Sequence, residues 1–409
     1  MRDLIPSEEE RFFELFKEYF DLEKNVVAQH TPENYTLERM TPLAEVAGHP
    51  EARLRIIHIA GTKGKGSTSH FISALLQASG HSVGLFTSPH LATVRERFQL
   101  NNELISYDML MSASKEFINK LHQKKLTPSL FEIFTVMALK IFADNGMEYA
   151  VMETGIGGLL DATNYVPAAE CCAITPVSFD HTALLGNTIE KIASQKAGII
   201  KKNTPVVIAK QPYSAADNVI VKRAEELGAP VVRPMELAVS NDFLPSGMPP
   251  FLYENFTTAM AVMNTLKLRP DPTQFHVPQL RARCEVVHQN PLVILDAAHN
   301  ADSMGHLVQA LKTLYPTIHF TVILASVQGK DIHGIVTELA KLKPDIILTN
   351  PHTPRTSALP QLQKECADAK LNVVQVIPEL TSVEQLPQDK PLVFTGSFFT
   401  AVIGESFFN

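Results

Sequence analysis

The chain contains 409 residues, which is enough for two or three domains. Hydrophobic residues make up 45% of it and charged residues 19%, proportions that are typical of a globular protein in water. The formal net charge of −7 argues against a nucleic-acid-binding surface, so no nucleic acid is expected as a partner. Small molecules are the expected ligands.

Three further features predict a cytoplasmic location. The four cysteines show no CxxC spacing and suit a reducing compartment. Residues 1–20 are rich in Glu, Lys and Arg, which does not match a signal peptide. No apolar run reaches the roughly 18 residues that a membrane span needs, so no membrane association is expected.

The first half of the chain alternates predicted helices and strands. An amphipathic helix is predicted over residues 7–20, where aromatic side chains recur at helical spacing. Further helices are predicted over 68–79, 106–122 and 130–145, and short apolar runs predict buried strands at 56–60, 83–87, 149–153, 172–177 and 205–209. This alternation predicts an α/β fold with a mainly parallel sheet, whose ligands collect beyond the carboxyl ends of the strands.

The second half predicts another α/β unit. Residues 210–250 are weakly periodic and are predicted to be irregular, whereas 254–268 predict a helix. Prolines then predict a linker over 269–282, which divides the chain into a first domain over 1–278 and a second over 283–409. The strands of the second domain are predicted at 284–288, 291–295, 319–324, 345–349, 372–376 and 391–395.

A glycine-rich loop lies between the first predicted strand and the helix after it. This order places backbone N–H groups and a helix N-terminus around a phosphate, with Lys65 as a point charge for the β- and γ-phosphates. The standard phosphate loop has a glycine where Ile59 stands and a Ser or Thr where Gly66 stands, so this loop is a variant. The candidate nucleotide-binding residues are Gly61, Thr62, Gly64, Lys65, Gly66 and Ser67.

Polar side chains also follow other strands of the first domain. Glu153 ends a buried strand and is followed by glycines, so it is a candidate ligand for a phosphate-bound Mg²⁺; the alternative is a carboxylate that caps a turn. His181 follows the next strand and is either a neighbour of Glu153 or a hydrogen-bonded structural histidine. Lys196 lies in a helical segment, where a lysine is usually a solvated surface charge.

The second domain offers weaker candidates. Asp296 and His299 follow a predicted strand and have the chemistry to hold a ribose or a transition-state oxygen. Arg283 has the chemistry to bind a phosphate, and Ser397, after the last strand, to contact a polar substrate.

Taken together, these segments resemble the folylpolyglutamate synthase and dihydrofolate synthase family, a branch of the Mur ligases. The resemblance spans nearly the whole chain, and it is the combination of motifs that makes it specific. The matching segments are HIAGTKGKGS (58–67), SPHLATVRERFQLN (88–101), FEIFTVMAL (131–139), ETGIGGLLDATN (153–164), SFDHTALLGNTIEKIASQKAGIIK (178–201), LDAAHNADS (295–303) and TGSFFTAVIGE (395–405).

The resemblance implies the Mur ligase architecture: a P-loop ATPase-type first domain and a smaller Rossmann-like second domain. It implies an ATP-dependent ligase that joins L-glutamate to dihydropteroate or to folates, with Mg²⁺ and with K⁺ as a further candidate ion. A carboxylate is a poor acylating agent, so transfer of the γ-phosphoryl group would form an acyl phosphate that the glutamate amine attacks. A monomer is the expected state.

The resemblance also implies individual roles. The phosphate-loop residues would hold ATP, with Arg283 and Asp296 contacting it from the second domain. His299 and Ser397 would lie near the incoming glutamate, and the acceptor pocket would form near residues 30–50 and 88–135. The implied metal ligands are Ser88, Glu153, His181 and Lys196, the last as a carbamylated lysine, which contradicts its interpretation as a surface charge.

The chain departs from the family pattern at several positions. Leu159 stands where many bacterial members have arginine, Arg281-Ala282 replaces a proline-glycine, and Thr258 replaces a family asparagine near the adenine. Ala297 and Ala301 replace a glycine and a proline. These changes put nucleotide affinity and the folate pocket in question.

The leading hypothesis is a bifunctional dihydrofolate synthase and folylpolyglutamate synthase. The alternatives are a monofunctional enzyme with either activity, a muropeptide-type ligase, and a catalytically silent nucleotide-binding protein.

Overall fold

The computed structural model describes residues 7–19, 36–234, 243–244, 247–351 and 358–408. The chain divides into two compact units. The first unit comprises Met1–Pro245 and Leu252–Pro278, and the second comprises Ser246–Phe251 and Gln279–Asn409.

The first unit is built on an eight-stranded sheet. Its strands are β1 (Arg55–Ala60), β2 (Val83–Phe86), β3 (Phe98–Leu100), β4 (Glu103–Leu104), β5 (Tyr149–Glu153), β6 (Cys171–Ile174), β7 (Val206–Ile208) and β8 (Val231–Val232). Their order is β4-β3-β2-β5-β1-β6-β7-β8, and only the pairs β2–β3 and β3–β4 are antiparallel. The central strands are almost wholly apolar, as expected for a parallel sheet covered on both faces.

The helices of the first unit pack on this sheet. Their bounds are α1 (Glu8–Glu14), α2 (Met40–Ala47), α3 (Lys65–Ala78), α4 (Tyr107–Lys124), α5 (Leu130–Asp144), α6 (Thr182–Leu185), α7 (Ile189–Ala197), α8 (Ser214–Glu226) and α9 (Pro250–Thr265). One core cluster joins α1, α2, α4 and α5 to the sheet, and its largest side chains include Phe86, Phe98 and Phe134. Another joins α7 and α8 to β6 and β7.

The second unit contains a six-stranded sheet. Its strands are β9 (Glu285–Gln289), β10 (Leu292–Leu295), β11 (Thr321–Leu324), β12 (Asp345–Thr349), β13 (Asn372–Ile377) and β14 (Leu392–Thr395), in the order β13-β12-β11-β14-β10-β9. Only the β9–β10 pair is antiparallel. The helices are α10 (Ala301–Leu314), α11 (Ile332–Ala340), α12 (Leu359–Asp368) and α13 (Phe398–Phe408).

The two α/β units with mainly parallel sheets confirm the predicted fold class. The prediction of irregular structure over 210–250 is wrong in part, because α8 and β8 lie there; residues 235–242 and 245–246 lie outside the described part of the chain. The buried positions of α8 are Ala216, Ile220 and Ala224. Their spacing is helical, but because two of the three are alanines, the hydrophobic pattern in the sequence is weak. The sequence analysis also did not predict α2 or the β3–β4 pair.

The predicted N-terminal helix is shorter than expected, because α1 ends at Glu14 and the chain continues in turns to residue 19. Residues 269–278, which were predicted as part of a linker, belong to the first unit. No helix within the described ranges combines the length and apolarity needed to cross a membrane.

Candidate active site

The phosphate loop lies between β1 and α3, and its glycines are required by close packing. A Cβ on Gly61 would lie 1.8 Å from the Thr175 Oγ1, and Gly61 has φ of +151°. Gly64 has φ of +77°, and a Cβ there would lie 2.2 Å from the Asn255 Oδ1. Because α3 begins at Lys65, three residues earlier than predicted, the N–H groups of Lys65, Gly66 and Ser67 belong to its first turn. The loop therefore has the backbone geometry of a phosphate cradle.

Glu153 lies directly beside this loop. β5 and β1 are neighbours, and their register places Glu153 opposite Ile59, two residues before Gly61. The Lys65 Nζ lies 4.0 Å from the Glu153 Oε1, and the N–H of Ser88 donates to the Glu153 Oε2 at 3.1 Å. The Glu153 carboxylate is only 4% exposed. The structure thus brings together three of the predicted residues, Lys65, Ser88 and Glu153, at the carboxyl ends of adjacent strands.

Lys196 is a buried residue of α7, not a surface charge. It is 4% exposed, and its Nζ donates to the carbonyl oxygen of Gly61 at 2.7 Å. Burial, followed by the positive charge of Lys65, lowers the pKa of Lys196 from 10.5 to about 7. Near neutral pH, a larger fraction of this amine than of an ordinary lysine is therefore in the neutral, nucleophilic form.

His181 occupies an exposed position at the start of α6. Its backbone is left-handed, with φ of +47°, and its Nε2 lies 3.9 Å from the Asp180 Oδ2. Within the described part of the chain, no three His, Cys, Asp or Glu side chains are grouped so as to hold a metal ion by themselves. A metal at this edge of the sheet would therefore depend on phosphate oxygens and other ligands in addition to Glu153.

The DATN segment (161–164) is held by internal hydrogen bonds. Asp161 accepts from the N–H of Ile156 at 2.9 Å and from the N–H and the Oγ1 of Thr163 at 3.0 and 2.5 Å. The Thr163 Oγ1 also lies 2.8 Å from the Nε2 of His58, which is fully buried in β1. Burial raises the pKa of Asp161 and, with the charge of Lys201, lowers the pKa of His58 to about 3.

The same segment fixes the position of α7. The side-chain amide of Asn164 donates to the carbonyl oxygens of Leu159 and Gly198 at 3.0 and 3.1 Å, and the N–H of Leu159 donates to the carbonyl of Gln195 at 2.7 Å. Gln195 is the residue before Lys196 on α7, and Gly198 is the first residue after the end of this helix. DATN therefore helps to hold α7 in the position from which Lys196 reaches the phosphate loop.

In the second unit, Asp296 anchors the backbone around Arg283. Its carboxylate accepts from the N–H groups of Cys284 and Ala298, both at 2.8 Å, and it is 5% exposed. Ala282 and Cys284 have φ values of +49° and +53°, so both residues that flank Arg283 are in the left-handed region. Asp296 stabilises this unusual backbone.

Arg283 and His299 both lie close to one aromatic ring, that of Phe398. The Arg283 guanidinium carbon is 5.4 Å from the centroid of the Phe398 ring, and the His299 ring centroid is 6.0 Å from it. Ser397, the residue before α13, is 5% exposed, and its Oγ accepts from the N–H of Thr400 at 3.1 Å. The structure brings all four predicted residues of this unit to the edge where β10 and β14 end. Two of them, Asp296 and Ser397, accept hydrogen bonds from backbone N–H groups there.

One residue beside the loop was missed by the sequence analysis. Asn255 is a buried residue of α9 whose side-chain oxygen lies against Gly64. Thr258, the position considered there, donates its hydroxyl to the carbonyl of Glu254 at 2.9 Å within the helix. A lone asparagine in an apolar helical run gives no spacing signal, so only the tertiary structure shows that Asn255 faces the phosphate loop.

Comparison with known protein families defines the class of protein that carries this fold and site. The Mur ligase middle domain matches residues 59–232, and the Mur ligase glutamate ligase domain matches residues 282–398. These two matches place the chain among the Mur ligases.

Individual relatives identify the branch of the Mur ligases to which the chain belongs. Dihydrofolate synthetase of Saccharomyces cerevisiae is 30% identical over 89% of this chain and 95% of its own. Dihydrofolate synthase/folylpolyglutamate synthase of Bacillus subtilis is 33% identical over 81% of this chain and 84% of its own. The chain therefore belongs to the folylpolyglutamate synthase and dihydrofolate synthase family.

Solved structures agree with this assignment. Folylpolyglutamate synthase of Mycobacterium tuberculosis, complexed with ADP, has a TM-score of 0.84 and 25% identity, with 98% of this chain and 99% of that chain covered. The bifunctional folylpolyglutamate synthase/dihydrofolate synthase of Yersinia pestis, complexed with AMPPNP and a Mn ion, has a TM-score of 0.80 and 25% identity, with 94% and 96% covered.

Proposed function

We propose that this chain is an ATP-dependent ligase that adds L-glutamate to dihydropteroate and to reduced folates, a bifunctional dihydrofolate synthase and folylpolyglutamate synthase. The observation that carries the proposal is the meeting of Lys65, Glu153 and the buried amine of Lys196 at one phosphate loop. Relatives named for each activity cover most of the chain, which is why both activities are proposed. The monofunctional enzymes are the alternatives.

The phosphate loop is proposed to hold the triphosphate of ATP. Gly61, Thr62 and Gly64 form the turn, and the N–H groups of Gly66 and Ser67 add the positive end of α3. Lys65 supplies a charge for the phosphoryl group that is transferred. We further propose that the missing adenine-side asparagine is Asn255, because its amide lies against the same loop.

The residues beside the loop fit a magnesium ion. Mg²⁺ prefers oxygen ligands and keeps several waters, so a phosphate-bound ion needs only one or two protein ligands. Glu153 and the hydroxyl of Ser88 are proposed for this role, with His181 as a further ligand; K⁺ remains a candidate second ion. Bound Mg²⁺ would neutralise phosphate charge. Glu153 itself would orient the ion, because its strand and its bond to Ser88 hold the carboxylate in place.

Lys196 is proposed to be carbamylated. Its neutral amine would attack carbon dioxide, forming an N–C bond and releasing one proton to solvent. The product is an anionic carbamate with two oxygen ligands in place of a cation. Support comes from the burial of Lys196 and its lowered pKa of about 7, because only the neutral amine reacts.

A chemical rescue experiment tests this modification. Lys196→Ala should lose most of its activity, and short carboxylic acids such as acetate should restore part of it by occupying the carbamate position. Lys202→Ala, at an exposed lysine nearby, is the matched control and should keep full activity. Full activity of Lys196→Ala without added acid would refute the role of the modification.

The second unit is proposed to contribute Arg283 and Asp296 to ATP binding, and His299 and Ser397 to the binding of glutamate. The acceptor carboxylate would attack the γ-phosphorus of ATP, releasing ADP and forming an acyl phosphate. The glutamate amine would then attack the acyl carbon, and phosphate would leave. Arg283 is suited to stabilise phosphate charge, since its guanidinium is held beside Phe398 by the backbone that Asp296 anchors.

The direct test is phosphate release with ATP, Mg²⁺ and L-glutamate, with dihydropteroate or tetrahydrofolate as acceptor and the products checked by mass. Turnover with both acceptors is expected. Turnover with one would assign a monofunctional enzyme, and turnover with neither would leave a nucleotide-binding protein. The monomeric state, the cytoplasmic location and the domain limits 1–278 and 283–409 are further proposals, testable by sedimentation, fractionation and limited proteolysis.

A further inference from the structure

The segment of residues 88–97 contains contacts that the proposed reaction does not by itself explain. It begins at Ser88, whose N–H donates to Glu153, and it leads away from the carboxyl end of β2. The acceptor carboxylate must meet the γ-phosphoryl group near Glu153 and Lys65. The body of the acceptor must then extend over neighbouring structure, and the 88–97 segment is one part of the first unit that starts at this point.

This segment is fixed from within by one carboxylate. Glu96 accepts hydrogen bonds from three successive N–H groups, those of Leu91, Ala92 and Thr93, at 2.7, 2.8 and 3.0 Å. The Nε of Arg97 donates to the Nδ1 of His90 at 2.8 Å, which joins the two ends of the segment. The segment therefore has a defined shape rather than that of a loose surface loop.

A second carboxylate holds the segment from outside. Glu9, on α1, accepts from the N–H of Val94 at 2.9 Å and from the Oγ1 of Thr93 at 3.1 Å. The hydroxyl of Tyr107 also donates to Glu9, and the guanidinium of Arg95 lies 4.6 Å from the centre of the Tyr107 ring. Glu9 is thus the point where α1, the 88–97 segment and the start of α4 converge.

α1 is itself firmly packed, so Glu9 is held on a rigid support. Phe12 is fully buried and its ring centroid is 5.9 Å from that of Phe134 in the core, while Phe16, two residues after the end of α1, lies 5.6 Å from the same ring. Phe13, on the same helix, lies 6.2 Å from the ring of His90. α1 therefore contacts the 88–97 segment at two places, through a carboxylate and through an aromatic ring.

We propose that Glu9 is a positioning residue for the acceptor, which fixes the 88–97 segment as one wall of the acceptor site. The inference rests on the proposed function and adds to it a residue that lies outside every motif of the family resemblance. Its effect should appear in the binding of the acceptor and not in that of ATP or glutamate, because the hydrogen bonds of Glu9 go to Thr93, Val94 and Tyr107.

The test compares Glu9→Ala and the shape-preserving Glu9→Gln with Glu8→Ala, which removes an exposed carboxylate from the same turn of α1. Loss of bonds from a charged group should raise the KM for the acceptor roughly tenfold in Glu9→Ala, with a smaller rise in Glu9→Gln. The KM values for ATP and glutamate and kcat should stay within about twofold of wild type, and Glu8→Ala should match wild type.

Hydrogen exchange provides a readout that does not depend on activity. The amides of residues 91–97 should exchange faster in Glu9→Ala than in Glu8→Ala, with the largest change at Val94. An unchanged KM for the acceptor, or an equal rise in all three KM values, would overturn the proposal. An inactive wild type would instead refute the proposed function, and the exchange data alone would then decide whether Glu9 holds the segment.

Discussion

The carboxyl edges of the two sheets carry polar side chains at similar positions, but the two edges use them differently. In the first unit, the Lys65 Nζ is 4.0 Å from the Glu153 Oε1, beyond hydrogen-bonding distance, while Glu153 accepts from the N–H of Ser88 at 3.1 Å and Lys196 donates to the carbonyl oxygen of Gly61 at 2.7 Å. In the second unit, Asp296 and Ser397 each accept a bond from a backbone N–H within 3.1 Å. A polar residue at such an edge can therefore bond to the backbone, serve a ligand or do both, and stability and turnover measured together distinguish these cases.

This difference has a measurable consequence. Replacing a residue that serves the ligand should reduce turnover without affecting stability, whereas replacing one that serves the backbone should reduce stability first. The predictions below test this separation in both units.

The largest effect is expected for Lys65→Ala. Loss of the charge at the transferred phosphoryl group should lower kcat on the order of 10³-fold. The free energy of unfolding should change by no more than about 1 kcal/mol, because the Lys65 Nζ is 4.0 Å from the Glu153 Oε1, beyond hydrogen-bonding distance, and Glu153 keeps its bond from the N–H of Ser88. Phosphate release and urea denaturation measure the two quantities, with Lys202→Ala as the exposed control. Substantial turnover by Lys65→Ala would refute the assignment of the phosphate loop.

Asp296→Ala should show the opposite pattern. It leaves the N–H groups of Cys284 and Ala298 buried without an acceptor, which should cost about 3 kcal/mol of stability. Urea denaturation is the measurement, and Asp389→Ala, at an exposed loop position of the same unit, is the control. If stability were unchanged while the KM for ATP rose, Asp296 would act on ATP binding and not through the backbone.

The pH dependence of stability tests whether His58 is buried as a neutral group in the first unit. Its pKa is 6.5 in the unfolded chain and about 3 in the folded protein, where burial disfavours the cation. As pH falls below 6.5, the unfolded chain gains a proton that the folded protein does not, so stability is lost. Between pH 7 and pH 5 this loss should be about 2 kcal/mol.

The measurement for His58 is a difference between variants. His58→Gln should lose less stability than wild type over this pH range, by roughly the same 2 kcal/mol. The control is His276→Gln, at an exposed histidine, which should follow the wild-type curve. Parallel curves for wild type and His58→Gln would show that His58 is not buried as a neutral group.

Much of this architecture is predictable from the sequence, because strands and phosphate loops leave local patterns. The predicted strand 149–153 matches β5, and the phosphate loop lies between β1 and α3 as expected. Burial on both faces makes such strands continuously apolar, and tight turns require glycine, so both are visible in a single sequence.

The rest depends on contacts between distant parts of the chain. The sequence analysis included DATN within a segment that resembles the family, whereas the structure shows that Thr163 bonds to Asp161 and to His58, which is 105 residues away from Thr163. Asn255 approaches Gly64 from α9, and no spacing rule links the two. The use of a polar side chain is set by such partners, which local patterns do not specify.

The smallest effect is expected for Ser397→Ala, and it tests whether one hydroxyl serves both the backbone and a ligand. Its Oγ accepts from the N–H of Thr400, so the variant should lose about 1 kcal/mol of stability as α13 loses its cap. Ser129→Ala is the matched control, since Ser129 caps α5 in the same way and is also buried. Both variants should show similar losses in urea denaturation.

The two serine substitutions should have different effects on the binding of glutamate. If Ser397 also contacts glutamate, Ser397→Ala should raise the KM for glutamate roughly threefold to tenfold, the effect of one hydrogen bond, while Ser129→Ala leaves it unchanged. Equal KM values in the two variants would make Ser397 a helix cap alone. Glutamate recognition in the second unit would then depend on His299 and Arg283, the two predicted residues that lie close to the Phe398 ring.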